Sequence, residues 1–203
     1  MITIIDYRMG NLGSIYNMFK RIGFASKISG DPGEIKRAKK ILLPGVGAFD
    51  AAIKQINDLN LRNILDEKAL VEKVPVLGIC LGMQLLTESS EEGVLPGLGW
   101  IPAKTFRFRF NNNSSLKVPH MGWNQVKASN PCPLTKDLPS EPKFYFVHSY
   151  YVKVTDDAHS ILKTTHGIEF DSAIQKENIF GAQFHPEKSH KYGMKLLENF
   201  ALI

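Results

Sequence analysis

Short apolar runs alternate with amphipathic segments along the first half of the chain. The runs Ile2–Ile5, Ile41–Leu43 and Val74–Ile79 are apolar throughout, which is typical of strands buried on both faces. After the first two runs, apolar residues return every three or four positions, as on one face of a helix. The pattern therefore predicts a parallel sheet covered by helices on both faces. The helical positions are Ile15, Met18, Phe19 and Ile22, and then Phe49, Ile53 and Ile56.

The second half is predicted to be richer in strands. A final helix is expected from about His190 to Leu202, with Met194, Leu197 and Phe200 on one face. No linker interrupts the chain, so we predict one domain over residues 1–203, with a three-layer, flavodoxin-like α/β fold and a mostly parallel sheet. The strand candidates of the second half are Trp100–Phe110, Phe144–Tyr151, Phe170–Gln175 and Ile179–Phe184.

Turn and cap residues mark the ends of these helices and strands. Asp31 followed by Pro32 predicts a helix start, with Asp31 as the cap. The glycine-rich turns Met9–Gly13, Pro44–Gly47 and Gly78–Gly82 follow the three apolar strands. Because the ligand of an open α/β sheet lies past the carboxyl ends of its strands, we expect the functional site beside these turns.

Composition and charge narrow the classes of function. No apolar run approaches the roughly 20 residues that span a bilayer, and Met1–Asp6 lacks the basic region of a signal peptide. We therefore expect a cytoplasmic protein without membrane contact, in which Cys80 and Cys132 stay reduced. The net charge is +5, but the basic residues are scattered, which argues against a nucleic-acid partner.

The segment Gly78–Gly82 has the glycine-x-nucleophile-x-glycine form of a nucleophile elbow, with Cys80 at the centre. Flanking glycines allow the backbone to approach closely at a sharp strand-to-helix corner. The amino terminus of the following helix favours the reactive thiolate over the thiol. A buried structural cysteine is the alternative, but the preceding apolar strand and the two glycines favour a nucleophile.

A thiolate nucleophile needs a base and a group that orients it. His185 follows the apolar run Ile179–Phe184, and Glu187 lies two residues further on. Pro186 stiffens the link between them, so the carboxylate can fix the imidazole tautomer. A surface turn with an incidental charge pair is the alternative explanation.

Two further features have competing explanations. Pro44–Gly47 can supply backbone donors to an oxyanion hole, or it can be a simple strand-to-helix turn. His120 and His148 have no Cys or His at ligand spacing, so we expect no metal site.

Six segments together resemble the class I glutamine amidotransferases, and among them the glutaminase subunits of imidazole glycerol phosphate synthase. The cysteine and His-Pro-Glu segments are shared across class I, whereas the two segments that begin at Pro119 and Tyr145 are more particular to this subunit. The resemblance covers essentially the whole chain. The segments are Asp6–Asn11, Pro44–Gly47, Gly78–Leu86, Pro119–Asn124, Tyr145–Tyr150 and Gly181–Ser189.

The resemblance implies roles for individual residues. Cys80 attacks the side-chain amide carbon of L-glutamine, His185 passes a proton to the departing ammonia, and Glu187 orients His185. The implied oxyanion and substrate-binding residues are Gly45, Val46, Gly47, Leu81, Gln84, His148, Ser149 and Tyr150. Those implied to lie toward a partner or to act as its gate are Asn11, His120, Met121, Gly122, Trp123, Tyr145 and Lys188.

The partner implied by the resemblance is a separate (β/α)8-barrel cyclase, joined with this chain in a heterodimer. Ammonia passes to it through an internal channel, and the acceptor is a ribotide intermediate of histidine biosynthesis. No cofactor and no metal are implied. Phe106–Leu116 shows the least family pattern, and either contacts the partner or forms a variable edge.

Three alternatives remain open at this point. The same glutaminase chemistry can feed a cyclase-like partner that amidinates a surface-polysaccharide sugar. The chain can be a non-catalytic regulatory subunit, although the complete Cys80, His185 and Glu187 set argues against it. It can also be another cysteine hydrolase on the same fold.

Overall fold

The computed structural model describes residues 1–110 and 116–203, so the predicted polar loop Asn111–Ser115 and the middle of Phe106–Leu116 lie outside the described residues. The helices are α1 (Leu12–Arg21), α2 (Pro32–Lys36), α3 (Phe49–Asp58), α4 (Arg62–Asp66), α5 (Leu81–Leu85) and α6 (His190–Leu202). The strands are β1 (Ile2–Ile5), β2 (Ser26–Ser29), β3 (Ile41–Gly45), β4 (Val76–Cys80), β5 (Ser89–Ser90), β6 (Ala103–Arg107), β7 (His120–Gln125), β8 (Lys127–Ala128), β9 (Lys143–His148), β10 (Tyr150–Val154), β11 (Ser160–His166), β12 (Ile168–Lys176) and β13 (Ile179–Ala182).

The centre of the main sheet is parallel. Its strands lie in the order β2-β1-β3-β4-β13, and each of these neighbouring pairs is parallel. This is the 2-1-3-4-5 order of flavodoxin-like sheets, so the predicted fold class is confirmed. Beyond β13 the sheet continues through the antiparallel strands β12, β10 and β6.

Neighbouring residues of each parallel strand pack on opposite sides of the sheet. Ile5 and Leu43 belong to the core that contains the buried side chains of α2 and α3. Ile4 and Leu42 belong to the core that contains those of α1 and α6. Alternate side chains of a strand point to opposite faces, so an unbroken apolar run supplies both cores. The predicted coverage of both faces is therefore confirmed.

The second half is rich in strands, as predicted, but its boundaries differ. Within Trp100–Phe110 only Ala103–Arg107 is a strand, and Phe144–Tyr151 spans the end of β9 and the start of β10. The break falls at Ser149, where the chain leaves a small sheet made of β7 and β9 and enters the main sheet. The prediction lacks strands β2, β5, β7, β8 and β11, because they are short or mix polar and apolar residues.

The helix starts follow from capping side chains. The Asp31 carboxylate accepts a hydrogen bond from the backbone N–H of Glu34 at 2.8 Å, as the Asp-Pro signal predicted. Asn11 caps α1 in the same way, since its Oδ1 atom accepts from the N–H of Ser14 at 3.3 Å. In the described segments, no helix combines the length and the hydropathy needed to cross a membrane.

Helix α5 lies directly against the backbone of β3 and β4. A Cβ atom built on Gly82 would lie 1.8 Å from the carbonyl oxygen of Leu43, and one on Gly78 would lie 2.6 Å from that of Gly82. Both contacts are with backbone, which cannot rotate away as a side chain can. Glycine is therefore required for the sharp corner at which Cys80 lies.

Substitution of Gly82 by alanine should lower the free energy of unfolding by about 1 to 3 kcal/mol, because the added methyl group overpacks the contact with Leu43. Gly13→Ala is the matched control, since a Cβ atom there meets no heavy atom within 4 Å. That change should raise the free energy by about 0.5 kcal/mol by restricting the unfolded chain. Urea unfolding measures both, and equal stability of the Gly82→Ala variant and the native chain would contradict the packing argument.

Candidate active site

The register of the parallel strands brings distant segments to one edge of the sheet. Gly45 of β3 pairs with Cys80 of β4, and Ile79 pairs with Ala182 of β13. Gln183 and His185 therefore follow β13 just past the level of Cys80. The three sequence signals at these strand ends meet because the carboxyl ends of parallel strands lie at the same edge.

Cys80 occupies the corner between β4 and α5. Its φ of 55° and ψ of −112° lie in a region that residues with a Cβ rarely adopt. This is the strained turn expected of a nucleophile elbow. The thiol side chain is largely buried, with the residue 7% exposed, and it lines a cavity at the sheet edge.

His185 and Glu187 form a buried pair beside this corner. The His185 Nδ1 atom lies 2.8 Å from Glu187 Oε1, and both side chains are 3% exposed. Pro186 begins a single 3-10 turn, Pro186–Lys188, which folds the carboxylate back onto the imidazole. The backbone N–H of His185 donates to the carbonyl of Tyr145 at 2.9 Å, so the ring is anchored from its main chain as well.

The charge state of His185 follows from these neighbours. Burial would by itself lower the pKa of His185, but the adjacent Cys80 sulfur and the Glu187 carboxylate raise this pKa to about 9. The Nε2 atom has no hydrogen-bond partner among the described residues. The imidazole is thus held at Nδ1 by Glu187 and has its other nitrogen available for proton transfer.

A cavity of about 350 Å³ opens in front of the sulfur. This volume lies within the range of small-ligand sites. Gly45 and Glu187 are absent from its wall and lie behind it. Most of the predicted binding residues line it, together with Glu92, which the sequence did not single out. The lining residues are Val46, Gly47, Cys80, Leu81, Gln84, Glu92, Pro119, Val147, His148, Ser149, Tyr150, His185 and Lys188.

The Pro44–Gly47 segment borders the cavity next to Cys80. A Cβ atom on Gly45 would lie 2.6 Å from the Tyr7 hydroxyl and 2.8 Å from the Leu81 Cβ. The Tyr7 hydroxyl donates a hydrogen bond to the carbonyl of Pro44. Burial, and secondarily the negative charge at Cys80, raise the pKa of Tyr7 far above its usual range. A neutral phenol therefore orients this strand end, a contact that no local sequence signal indicates.

Buried His120 and His148 and half-buried His166 pack in an aromatic cluster, in which His148 also lines the cavity. The His120 ring stacks on His166 with centroids 4.2 Å apart, and the His120 Nδ1 atom lies 2.9 Å from His148 Nε2. Burial, assisted by the neighbouring His166, lowers the pKa of His120 to about 4. Burial lowers the pKa of His148 to about 3 against the opposing hydrogen bond to Tyr150, and neighbouring histidines contribute to the lowering. Among residues 1–110 and 116–203, no group of three or more His, Cys, Asp or Glu side chains is arranged to hold a metal ion.

The residues expected to face a partner divide into two groups. Met121 and Trp123 are 62% and 46% exposed, and the Lys188 Nζ atom lies 5.7 Å from the ring centroid of Tyr145. His120, by contrast, is 4% exposed, so its side chain is buried within the chain, and its place toward a partner stays a prediction. Side chains alternate along β7, which turns His120 inward and its neighbours outward.

Two other predicted gate residues have local structural roles. Asn11 caps α1, and Gly122 has a φ of 123°, a value that favours glycine in β7. Gln183 is a site residue for which the sequence predicted no role. Its side-chain nitrogen lies 3.8 Å from the Cys80 sulfur, and its place directly after β13, two residues before His185, is the signal that could have identified it.

The neutral histidine cluster predicts acid lability. In the folded state His120 and His148 resist protonation down to about pH 4 and 3, whereas in the unfolded state they titrate near the ordinary histidine pKa of about 6.5. The unfolded state therefore binds more protons below pH 6.5, and stability is lost as the pH falls from 6.5 toward 4. We expect a slope of up to about 1.4 kcal/mol per pH unit for each histidine.

Urea unfolding at several pH values between 6.5 and 4 measures this slope. His148→Gln should make it shallower, because glutamine does not titrate. An unchanged slope in that variant would show that other groups cause the acid lability.

Comparison with known proteins supports the same interpretation of the site. A family model described as glutamine amidotransferase class-I matches residues 3–203. The imidazole glycerol phosphate synthase subunit HisH 2 of Methanococcus maripaludis is 55% identical over 98% of both chains. The subunit HisH 2 of Pseudomonas aeruginosa is 46% identical, again over 98% of both chains. A crystal structure of a glutamine amidotransferase aligns with a TM-score of 0.75 at 15% identity, covering 100% of this chain and 99% of the other, and supports the fold.

The family match spans nearly every residue, and the relatives and this chain cover each other over almost their full lengths. The chain therefore belongs to the class I glutamine amidotransferases, and within them to the family of HisH-type glutaminase subunits.

Proposed function

We propose that this chain is the glutaminase subunit of an imidazole glycerol phosphate synthase, and that it hydrolyses L-glutamine to glutamate and ammonia for histidine biosynthesis. The observation that carries the chemistry is the meeting of Cys80, His185 and Glu187 beside one cavity. The identity of 55% to a HisH subunit supports the pathway.

The first half of the reaction is acyl transfer to sulfur. The Cys80 thiolate attacks the side-chain amide carbon of glutamine, and a carbon–sulfur bond forms. The His185 imidazolium then gives its Nε2 proton to the amide nitrogen, the carbon–nitrogen bond breaks, and ammonia leaves. The raised pKa of His185, about 9, keeps this proton available at neutral pH. Glu187 compensates the imidazolium charge and holds the ring in place.

The second half releases glutamate. Neutral His185 takes a proton from a water molecule, which attacks the thioester carbon, and the carbon–sulfur bond breaks to restore the thiolate. In both halves the substrate oxygen becomes negative in a tetrahedral intermediate. Val46, Gly47 and Leu81 line the cavity together with Cys80, and their backbone N–H groups are our proposed donors to that oxygen.

The rest of the cavity suits the amino-acid part of glutamine. Glu92 lines the wall, and its carboxylate is chemically suited to an α-ammonium group. Gln84 and the segment His148–Tyr150 also line the cavity and are the proposed contacts that orient the substrate.

The partner of a HisH-type subunit is a cyclase, and we propose a (β/α)8-barrel that forms a heterodimer with this chain. The proposed docking face contains Met121, Trp123, Tyr145 and Lys188. Lys188 lines the cavity, and Met121 and Trp123 are exposed, large and apolar, which is typical of an interface core. A barrel seated there would receive ammonia directly from the site.

One observation favours a second candidate function. The relatives from Methanococcus maripaludis and Pseudomonas aeruginosa carry the number 2, which indicates more than one such subunit in an organism. A duplicated glutaminase can feed a cyclase-like partner that amidinates a polysaccharide sugar, with every glutaminase residue unchanged. The acceptor that stimulates the enzyme distinguishes the two functions.

Replacement of Cys80 by alanine should abolish glutamate release, because no other group can form the thioester. Cys132→Ala is the matched control: Cys132 is also buried but lies outside the cavity, so its loss should leave turnover within about twofold. The measurement is glutamate formation by each variant in complex with the cyclase. Undiminished release from Cys80→Ala would instead indicate a non-catalytic subunit or another hydrolase.

The isolated chain should hydrolyse glutamine slowly, and the cyclase with its ribotide acceptor should stimulate it. The physical reason is that the exposed Val46–Gly47 end of the oxyanion segment is free to reorient until a partner covers it. Glutamate release is measured with the chain alone, with the cyclase, and with the cyclase and ribotide. High turnover of the chain alone would refute this, and stimulation only by a sugar-modifying partner would select the second function.

A further inference from the structure

A line of buried polar side chains connects the backbone of Tyr150 with the sulfur of Cys80. Gln84 Nε2 lies 3.2 Å from the Tyr150 carbonyl oxygen and 3.0 Å from Gln183 Oε1. Gln183 Nε2 in turn lies 3.8 Å from Cys80 Sγ, within reach of a hydrogen bond to sulfur. The two glutamines are 4% and 0% exposed, so water has little access to replace these contacts.

The carbonyl group of Tyr150 determines which atom of each glutamine donates and which accepts a hydrogen bond. A carbonyl oxygen only accepts hydrogen bonds, so the Gln84 atom beside it must be the nitrogen. Both N–H bonds of that nitrogen are then used, one on Tyr150 and one on Gln183. The atom of Gln183 that receives the second bond must be its oxygen, which leaves the nitrogen of Gln183 to face the sulfur.

A second series of hydrogen bonds, through His148, His120 and Asn124, also ends on the Tyr150 carbonyl oxygen. His148 Nδ1 lies 2.7 Å from the Tyr150 oxygen and must donate to it. His148 Nε2 is therefore an acceptor, and His120 Nδ1, at 2.9 Å, is its donor. Asn124 Nδ2 completes the series at 3.1 Å from His120 Nε2. Reversing any side chain would place acceptor against acceptor or donor against donor in a buried site.

We propose that Gln183 is a further residue of the catalytic site, whose amide N–H stabilises the Cys80 thiolate, and that Gln84 and the Tyr150 carbonyl are the groups that position it. Gln183 and His185 lie two residues apart in the bend that follows β13; the Gln183 nitrogen lies 3.8 Å from the sulfur, and His185 lines the same cavity as Cys80. The proposal rests on the proposed function in taking Cys80 as the nucleophile. A hydrogen bond donated to the charged form of a group favours that form.

Gln183→Glu tests this role with little change of shape. One carboxylate oxygen still accepts from Gln84, while the other puts a negative acceptor where the donor was. In a Cys132→Ser background, the rate constant for alkylation of Cys80 by iodoacetamide at pH 7 should fall about tenfold, which corresponds to the loss of one charge-assisted hydrogen bond. The midpoint of the curve of alkylation rate against pH should move to higher pH.

Two further variants complete the experiment. Gln183→Leu removes the donor without adding charge and should shift the profile in the same direction by a smaller amount, which keeps the test valid if the glutamate variant does not fold. Gln55→Glu makes the same chemical change on α3, outside the cavity, and should leave alkylation unchanged. Thermal melts identify which variants are folded.

The proposal would be overturned if folded Gln183 variants were alkylated at the same rate, and with the same pH profile, as the Cys132→Ser parent. Iodoacetamide reports on the thiolate without glutamine, so this result leaves the proposed function intact. Failure of the proposed function has a different signature, namely that Cys80→Ala still releases glutamate from glutamine.

Discussion

The site depends on the close approach of α5 to the backbone of β3. Gly78, Gly82 and Gly45 leave no space for a Cβ atom at this contact, and the approach forces Cys80 into its positive-φ corner. The strained corner presents the sulfur to the cavity at the sheet edge, although the side chain is largely buried. A bulkier residue at any of these glycines would move the nucleophile away from His185 and from the oxyanion segment.

The second constraint is electrostatic, and it separates charged from neutral imidazoles. His185 is held by a carboxylate and is protonated readily, with a pKa of about 9, whereas His148 and His120 are buried among aromatic rings and stay neutral. The charge on His185 is one of the causes that keep His148 neutral. One imidazole is therefore suited to carry protons, and the other two are fixed hydrogen-bonding groups, of which His148 lines the pocket.

Strand β7 links these two regions to the surface. Its inward side chain, His120, is hydrogen-bonded to His148, which in turn is hydrogen-bonded to the Tyr150 carbonyl. Its outward side chains, Met121 and Trp123, lie on the proposed docking face. A partner that presses on β7 thus contacts a strand whose other side supports the substrate pocket. Trp123 also stacks on His190 at the start of α6, with ring planes 5° apart, so the face is held by two elements.

The chain's local patterns determined the parallel core, the elbow around Cys80 and the His185–Glu187 pair, because each depends on residues close together in sequence. Unbroken apolar runs predict doubly covered strands, and a proline between an acid and a histidine predicts their contact.

Tertiary structure alone decided the contacts between Gln84 and Gln183, between His120 and His148, and between Tyr7 and Pro44. These pairs are 99, 28 and 37 residues apart, and only the strand order and register bring them within hydrogen-bonding distance. The inward direction of His120 was likewise set by the alternation of β7, since a short strand of mixed polarity does not reveal which of its faces is buried until its partner strand is known.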